Sequence, residues 1–152
     1  MRQILLAIAL LASGAATATE TLTIEPGEPG WWIEPQALSL GGPLPLAAAV
    51  RIGCAGFVAG PAPAFVVEHA PQAQMPIGFL EFRIASREPD VDPVVAVQMP
   101  NGAFICGTGS GSSLRAGAFP GTYRVWAASR APANAPVEGT LEISHVPLQK
   151  RR

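Results

Sequence analysis

The sequence predicts an all-β domain, an antiparallel β-sandwich of jelly-roll type carrying one disulfide. Three observations predict it. Beyond Ala18, Pro or Gly interrupts almost every window before three helical turns are complete. The apolar residues fall in short clusters rich in Val, Ile and Phe, as in strands. Two cysteines, an even number, sit in a chain that begins with the pattern of an export signal.

That signal comes first. Met1-Arg2-Gln3 is a short basic start, and Ile4 to Ala12 is an apolar run. The run is shorter than the ~20 residues that span a bilayer. Ala16-Thr17-Ala18 is a small-x-small cleavage site, so the expected division is a signal peptide over 1–18, a sandwich domain over 19–146 and a basic tail over 147–152. No cysteine follows the apolar run, which excludes a lipid-anchored cysteine at the new N-terminus. The expected location is periplasmic or secreted, with no membrane span.

Gly and Pro number 16 each, a level that in other chains signals disorder. Here 49% of residues are apolar, so Gly and Pro read as punctuation between strands. The formal charge of −1 becomes −2 once Arg2 is removed, which gives no electrostatic reason to bind nucleic acid or an anionic membrane.

In chain order the predicted strands are Leu22 to Ile24, Ala48 to Ile52, Phe65 to Glu68, Phe79 to Ala85, Val94 to Met99, Ala103 to Cys106, Thr122 to Ala127 and Val137 to Ser144. Alternation is clearest in three. Leu80, Phe82 and Ile84 oppose Glu81 and Arg83; Tyr123 and Val125 oppose Thr122, Arg124 and Trp126; Gly139, Leu141 and Ile143 oppose Glu138, Thr140 and Glu142. One-sided burial of this kind suits antiparallel sheets. Asn101-Gly102 predicts a tight hairpin, because both residues tolerate positive φ. Glu25 to Pro45 is rich in Pro and Gly and reads as a loop or edge segment. Trp126 is placed to cover the outer face of its sheet.

Cys54 and Cys106 are the only cysteines, and export predicts that they pair. No CxxC is present, and two cysteines with distant histidines make no zinc pattern, so no cofactor is expected.

The stretch from Cys54 to Ser144 resembles small exported bacterial proteins related to the pre-peptidase C-terminal domain family. The likeness rests on Cys54-Ala55-Gly56-Phe57, on Leu80 to Ser86, on Asp92-Pro93-Val94-Val95-Ala96-Val97, on Pro100-Asn101-Gly102 with Cys106, and on Pro120-Gly121-Thr122-Tyr123-Arg124-Val125-Trp126. Gly41-Gly42 fits the longer form of these proteins. The resemblance implies a β-sandwich accessory module that accompanies secreted peptidases without being proteolytic. Relatives carry acidic residues just after the second cysteine. Here Gly107 to Ser112 holds no carboxylate, so no calcium site is carried over.

Three candidate sites remain. Asp90 and Asp92 are one residue apart and form a candidate weak cation site; the bland reading is a solvated turn fixed by Pro89 and Pro93. Trp31 and Trp32 are adjacent, so in an extended segment their rings point to opposite faces and one is offered as a ligand platform. The alternative puts one ring in the core and the other over an edge. A hydrolase would combine His69, Asp90 or Asp92, and Ser110 or Ser112. No GxSxG elbow is present, and Ser110 to Ser113 reads as a flexible loop. The expected function is an exported, non-catalytic accessory or binding module whose partner is a protein or polysaccharide of the cell envelope. The alternatives are a carbohydrate- or envelope-binding protein using an exposed Trp, and a secreted hydrolase.

Overall fold

The computed structural model describes residues 19–24, 32–50, 53–70, 78–108 and 112–148. The expected signal peptide, Trp31 and Ser110 lie outside them.

The strands are β1 (Glu20–Ile24), β2 (Trp32–Leu40), β3 (Leu44–Pro45), β4 (Phe57–Val58), β5 (Phe65–His69), β6 (Gly78–Ser86), β7 (Pro93–Gln98), β8 (Phe104–Thr108), β9 (Ser113–Gly117), β10 (Gly121–Ser129) and β11 (Val137–Pro147), with one short helix, α1 (Leu46–Val50). They form two sheets. Sheet A runs β1-β5-β10-β4-β3, with β7 on the other flank of β10 and β8 outside β7. Sheet B has four strands in the order β2-β11-β6-β9. The paired strands are antiparallel except β1 and β5, which run parallel. The predicted sandwich is therefore what the chain adopts, and Cys54 and Cys106 are bonded with Cα atoms 5.9 Å apart.

The main core lies between the sheets. Val67, Val97, Tyr123 and Val125 of sheet A meet Leu40, Phe82, Ile84, Leu141 and Ile143 of sheet B, all fully or almost fully buried. The predicted alternation in β6 and β11 accounts for the sheet-B side, with Leu80, Phe82 and Ile84 turned inward. Each such side chain contributes about 1.5–3 kcal/mol of burial. Phe82 packs 5.9 Å from Tyr123, ring centre to ring centre, so Phe82→Ala would open the centre of the core at a cost of about 3–5 kcal/mol.

One-sided burial fails in sheet A. A second cluster covers its outer face, made of Leu46 and Val50 of α1, Cys54, Val58, Val94, Ala96, Trp126 and Ala128. Trp126 does lie on that outer face, but it is only 5% exposed. Its ring packs 5.7 Å from Phe104, and its indole N–H donates to the Pro61 carbonyl at 3.0 Å. The predicted strand Ala48 to Ile52 is corrected here. Leu46 to Val50 is a helical turn, because Leu46 and Val50 are four apart and fall on one face, toward Trp126 and the cystine. The intervening Ala47 to Ala49 are strong helix formers.

Within Glu25 to Pro45, expected to be a loop or edge segment, Trp32–Leu40 is a nine-residue edge strand of sheet B. Its pairing with β11 shifts register between Leu141, opposite Gln36, and Ile143, opposite Ile33. The extra residue is accommodated around Glu34-Pro35, and an edge bulge is where a strand tolerates proline. Ser113, assigned to a loop, opens β9, which pairs with β6. The Asn101-Gly102 hairpin does join β7 to β8, but its loop has three residues. Gly102 N–H donates to the Met99 carbonyl at 2.9 Å, Met99 N–H to the Ala103 carbonyl at 2.8 Å, and Gly102 has φ +83°. Pro100, with its fixed φ, takes the first central position of the turn. At the C-terminus β11 includes Pro147, one residue past the expected domain end.

Candidate functional site

Among the described residues no element covers the outer face of sheet B, and the register brings its side chains into rows. Trp32 of β2 stands opposite Ser144 of β11, Ser144 opposite Glu81 of β6, and Glu81 opposite Arg115 of β9. In the adjacent row Glu142 is opposite Arg83, and Arg83 opposite Ser113. The first row crosses the whole sheet, about 14 Å at three interstrand spacings.

Trp32 is 64% exposed, although it sits in a regular strand. Strand parity explains this. Ile33, opposite the buried Ile143, turns to the core, so Trp32 turns to solvent. A concavity of about 190 Å³ beside the indole is bounded by Pro35, Glu81, Arg83, Glu142 and Ser144. Glu81 is the most enclosed of the charges. Its Oε1 lies 3.7 Å from Arg115 Nε and 3.9 Å from Arg83 Nη2. These are ion pairs but are too long for direct hydrogen bonds. Two carboxylates and two guanidiniums share these two rows, so the charge of the rows is balanced.

Of the residues singled out in the sequence, Trp32 is exposed on this face. Sequence reasoning had put Glu81, Arg83 and Glu142 on polar faces of their strands without assigning them to a site. Ser144 and Arg115 were missed, because the row is made by long-range register.

The other candidates are positioned differently. Asp90 is exposed in a turn, and Asp92 is held by Arg130, through a side-chain ion pair and through its carbonyl, which accepts the Arg130 N–H at 2.9 Å. Arg130 engages Asp92 Oδ2, and Oδ1 is buried without a hydrogen bond among the described residues. Among the described residues no cluster of three or more His, Cys, Asp or Glu is arranged to hold a metal ion. Ser112 is buried; its Oγ donates to the Gly107 carbonyl and accepts the Val95 N–H, both at 3.0 Å. His69 is also buried, and its Nδ1 donates to the Phe119 carbonyl at 2.9 Å. The hydrogen bonds of Ser112 and His69 thus run to separate backbone groups.

A larger groove, about 720 Å³, lies between β2, the segment from Val58 to Phe65, and β10. On its lining, Arg87 and Glu138 bond at 2.6 Å, and the Trp126 indole is committed to Pro61. No family model, curated protein or solved structure matches the chain. Among the described residues no helix is long and apolar enough to cross a membrane.

Proposed function

We propose that this protein is an exported, non-catalytic binding module that presents the outer face of sheet B to a component of the cell envelope. The observation that carries this reading is the exposed indole of Trp32 in register with Ser144, Glu81 and Arg115. A large aromatic ring in solvent costs burial that the core could have used, and exposed aromatics flanked by polar groups serve as contact surfaces. Export is supported by the leader pattern of residues 1–18 and by the Cys54–Cys106 bond, which belongs to oxidising compartments. The accessory role is also what the resemblance to the pre-peptidase C-terminal domain family implies.

The non-catalytic reading is supported by Ser112 and His69. Acyl transfer requires a nucleophile within reach of a base, and each of these side chains is engaged by a different backbone group. Purified protein should leave casein and small esters unchanged.

The test is co-sedimentation with insoluble envelope material. The wild-type protein should sediment with it, and Trp32→Ala, with an unchanged melting temperature, should remain in the supernatant. Equal sedimentation of both, or of neither, would overturn the assignment of this face.

A further inference from the structure

The sheet-B face also specifies what kind of ligand it takes, on the reading that it is the binding surface. Three features of the row decide the chemistry.

The first is charge. Glu81 and Glu142 are matched by Arg83 and Arg115, and Glu81 pairs with both guanidiniums. Two rows balanced in this way give no net attraction to a polyanion or a polycation. The second is hydrogen-bonding capacity. At 3.7 and 3.9 Å the Glu81 pairs leave N–H donors and carboxylate lone pairs free of each other. A hydroxyl placed beside such a pair can donate to the carboxylate and accept from the guanidinium at once. Ser144, between the indole and Glu81 in register, can do both as well. By contrast, Arg87 and Glu138 are closed on each other at 2.6 Å. The third is shape. The indole offers a flat apolar surface at one end of the row, and the 190 Å³ concavity beside it is below the ~300 Å³ lower end for whole drug-sized ligands. It has room for one unit of a longer chain, with the rest lying across the open strands.

A ligand with a flat C–H face, neutral overall and lined with hydroxyls meets all three conditions. We infer that the row Trp32, Ser144, Glu81 and Arg115 binds a neutral polysaccharide, with one sugar ring stacked on Trp32 and the chain running across the strands toward β9. Sugar hydroxyls bridge the Glu81–Arg83 and Glu81–Arg115 pairs.

The experiment is native affinity electrophoresis of the mature protein in gels containing hydroxyethyl cellulose, dextran or starch as neutral polymers, or alginate as a polyanion. At least one neutral polymer should retard the protein, and added salt should leave the retardation unchanged, because no net charge is neutralised. Trp32→Ala should weaken it roughly tenfold, as loss of a stacking surface does. Glu81→Gln and Arg115→Gln should weaken it several-fold, and Arg87→Gln, outside the row, should leave it unchanged. Salt-suppressed retardation by alginate alone, neutral-polymer binding that survives Trp32→Ala, or no retardation in any gel would overturn the inference. If Trp32-dependent sedimentation with envelope material persists while all neutral polymers fail, the ligand class is wrong and the binding face stands. If both fail, the face itself is wrong.

Discussion

Tyr123 closes a hydrogen-bonded corner on Phe119. Its hydroxyl accepts the Phe119 N–H at 2.8 Å and has two carbonyls within reach of its proton, those of Phe119 and Gly117, each at 2.7 Å. A tyrosine near the start of a strand, bonded to backbone a few residues upstream, is a tyrosine corner of the kind found in β-sandwiches. His69 Nδ1 binds the same Phe119 carbonyl at 2.9 Å, so the turn from β9 to β10 is held from both sides.

Removing the hydroxyl takes a hydrogen bond from these groups, while the Phe119 N–H keeps the Gly117 carbonyl at 2.9 Å and the Phe119 carbonyl keeps His69. Tyr123→Phe should therefore destabilise the fold by about 0.5–1.5 kcal/mol in denaturant unfolding. The ring remains in the core, and polymer binding on the far face of sheet B should be unaffected.

Burial also pushes the Tyr123 hydroxyl up to about 12, against an opposing effect of its hydrogen bond with Phe119. The folded value lies above the unfolded 10, so the stabilisation is complete below pH 10 and is lost as pH rises through 12. The melting temperature of wild type should fall over that interval more than that of Tyr123→Phe. Tyr123 is the only tyrosine, so phenolate absorbance reports on this site alone. Ionisation near pH 10 in the folded protein would contradict the burial argument.

The cystine closes a sequence separation of 52 residues and ties the segment after α1 to β8. Replacing both cysteines by Ala should cost about 4 kcal/mol in the chain-entropy description. Mass measurement without reductant should find no free thiol in the exported protein. Two free thiols would remove this prediction and weaken the case for an oxidising location.

Much of the fold was legible because local pattern and tertiary burial agree. Leu80, Phe82 and Ile84 alternate cleanly, and β6 lies at the centre of sheet B. The reading failed where tertiary context decides. Pro35 breaks the period of β2, and only a bulge against β11 makes a strand of it. Leu46 to Val50 is a single helical turn whose stability comes from Trp126 and the cystine beneath it. The proposed binding row was half legible: an exposed ring was one of two readings of the adjacent tryptophans, but Ser144, Glu81 and Arg115 are far apart in sequence and meet only through strand register.

Asp92 should serve structure and not calcium. Asp92→Asn should cost no more than about 1 kcal/mol, the value of a partly exposed ion pair with Arg130. Millimolar Ca²⁺ should leave the melting temperature of wild type unchanged. A rise of many degrees that EDTA reverses would assign a cation site to the Asp90–Asp92 turn.

Export should leave Thr19 at the N-terminus. Its hydroxyl donates to the Pro63 carbonyl at 3.0 Å, so the chain is tied to the body of the domain at the residue that cleavage after Ala18 would expose. N-terminal sequencing of protein recovered from outside the cytoplasm should begin at Thr19; retention of Met1 would contradict cleavage.

The most direct test of the binding face is an amide ¹H–¹⁵N titration of the mature protein with a soluble neutral glucan. Resonances of Trp32, Glu81, Arg83, Arg115 and Ser144 should shift together, including the Trp32 indole. Those of the inter-sheet core, such as Val97 and Val125, and the buried Trp126 indole should stay in place. Shifts centred on Ala127 and the groove between β2 and β10, or no shifts at all, would contradict the assignment of the outer face of sheet B as the binding surface.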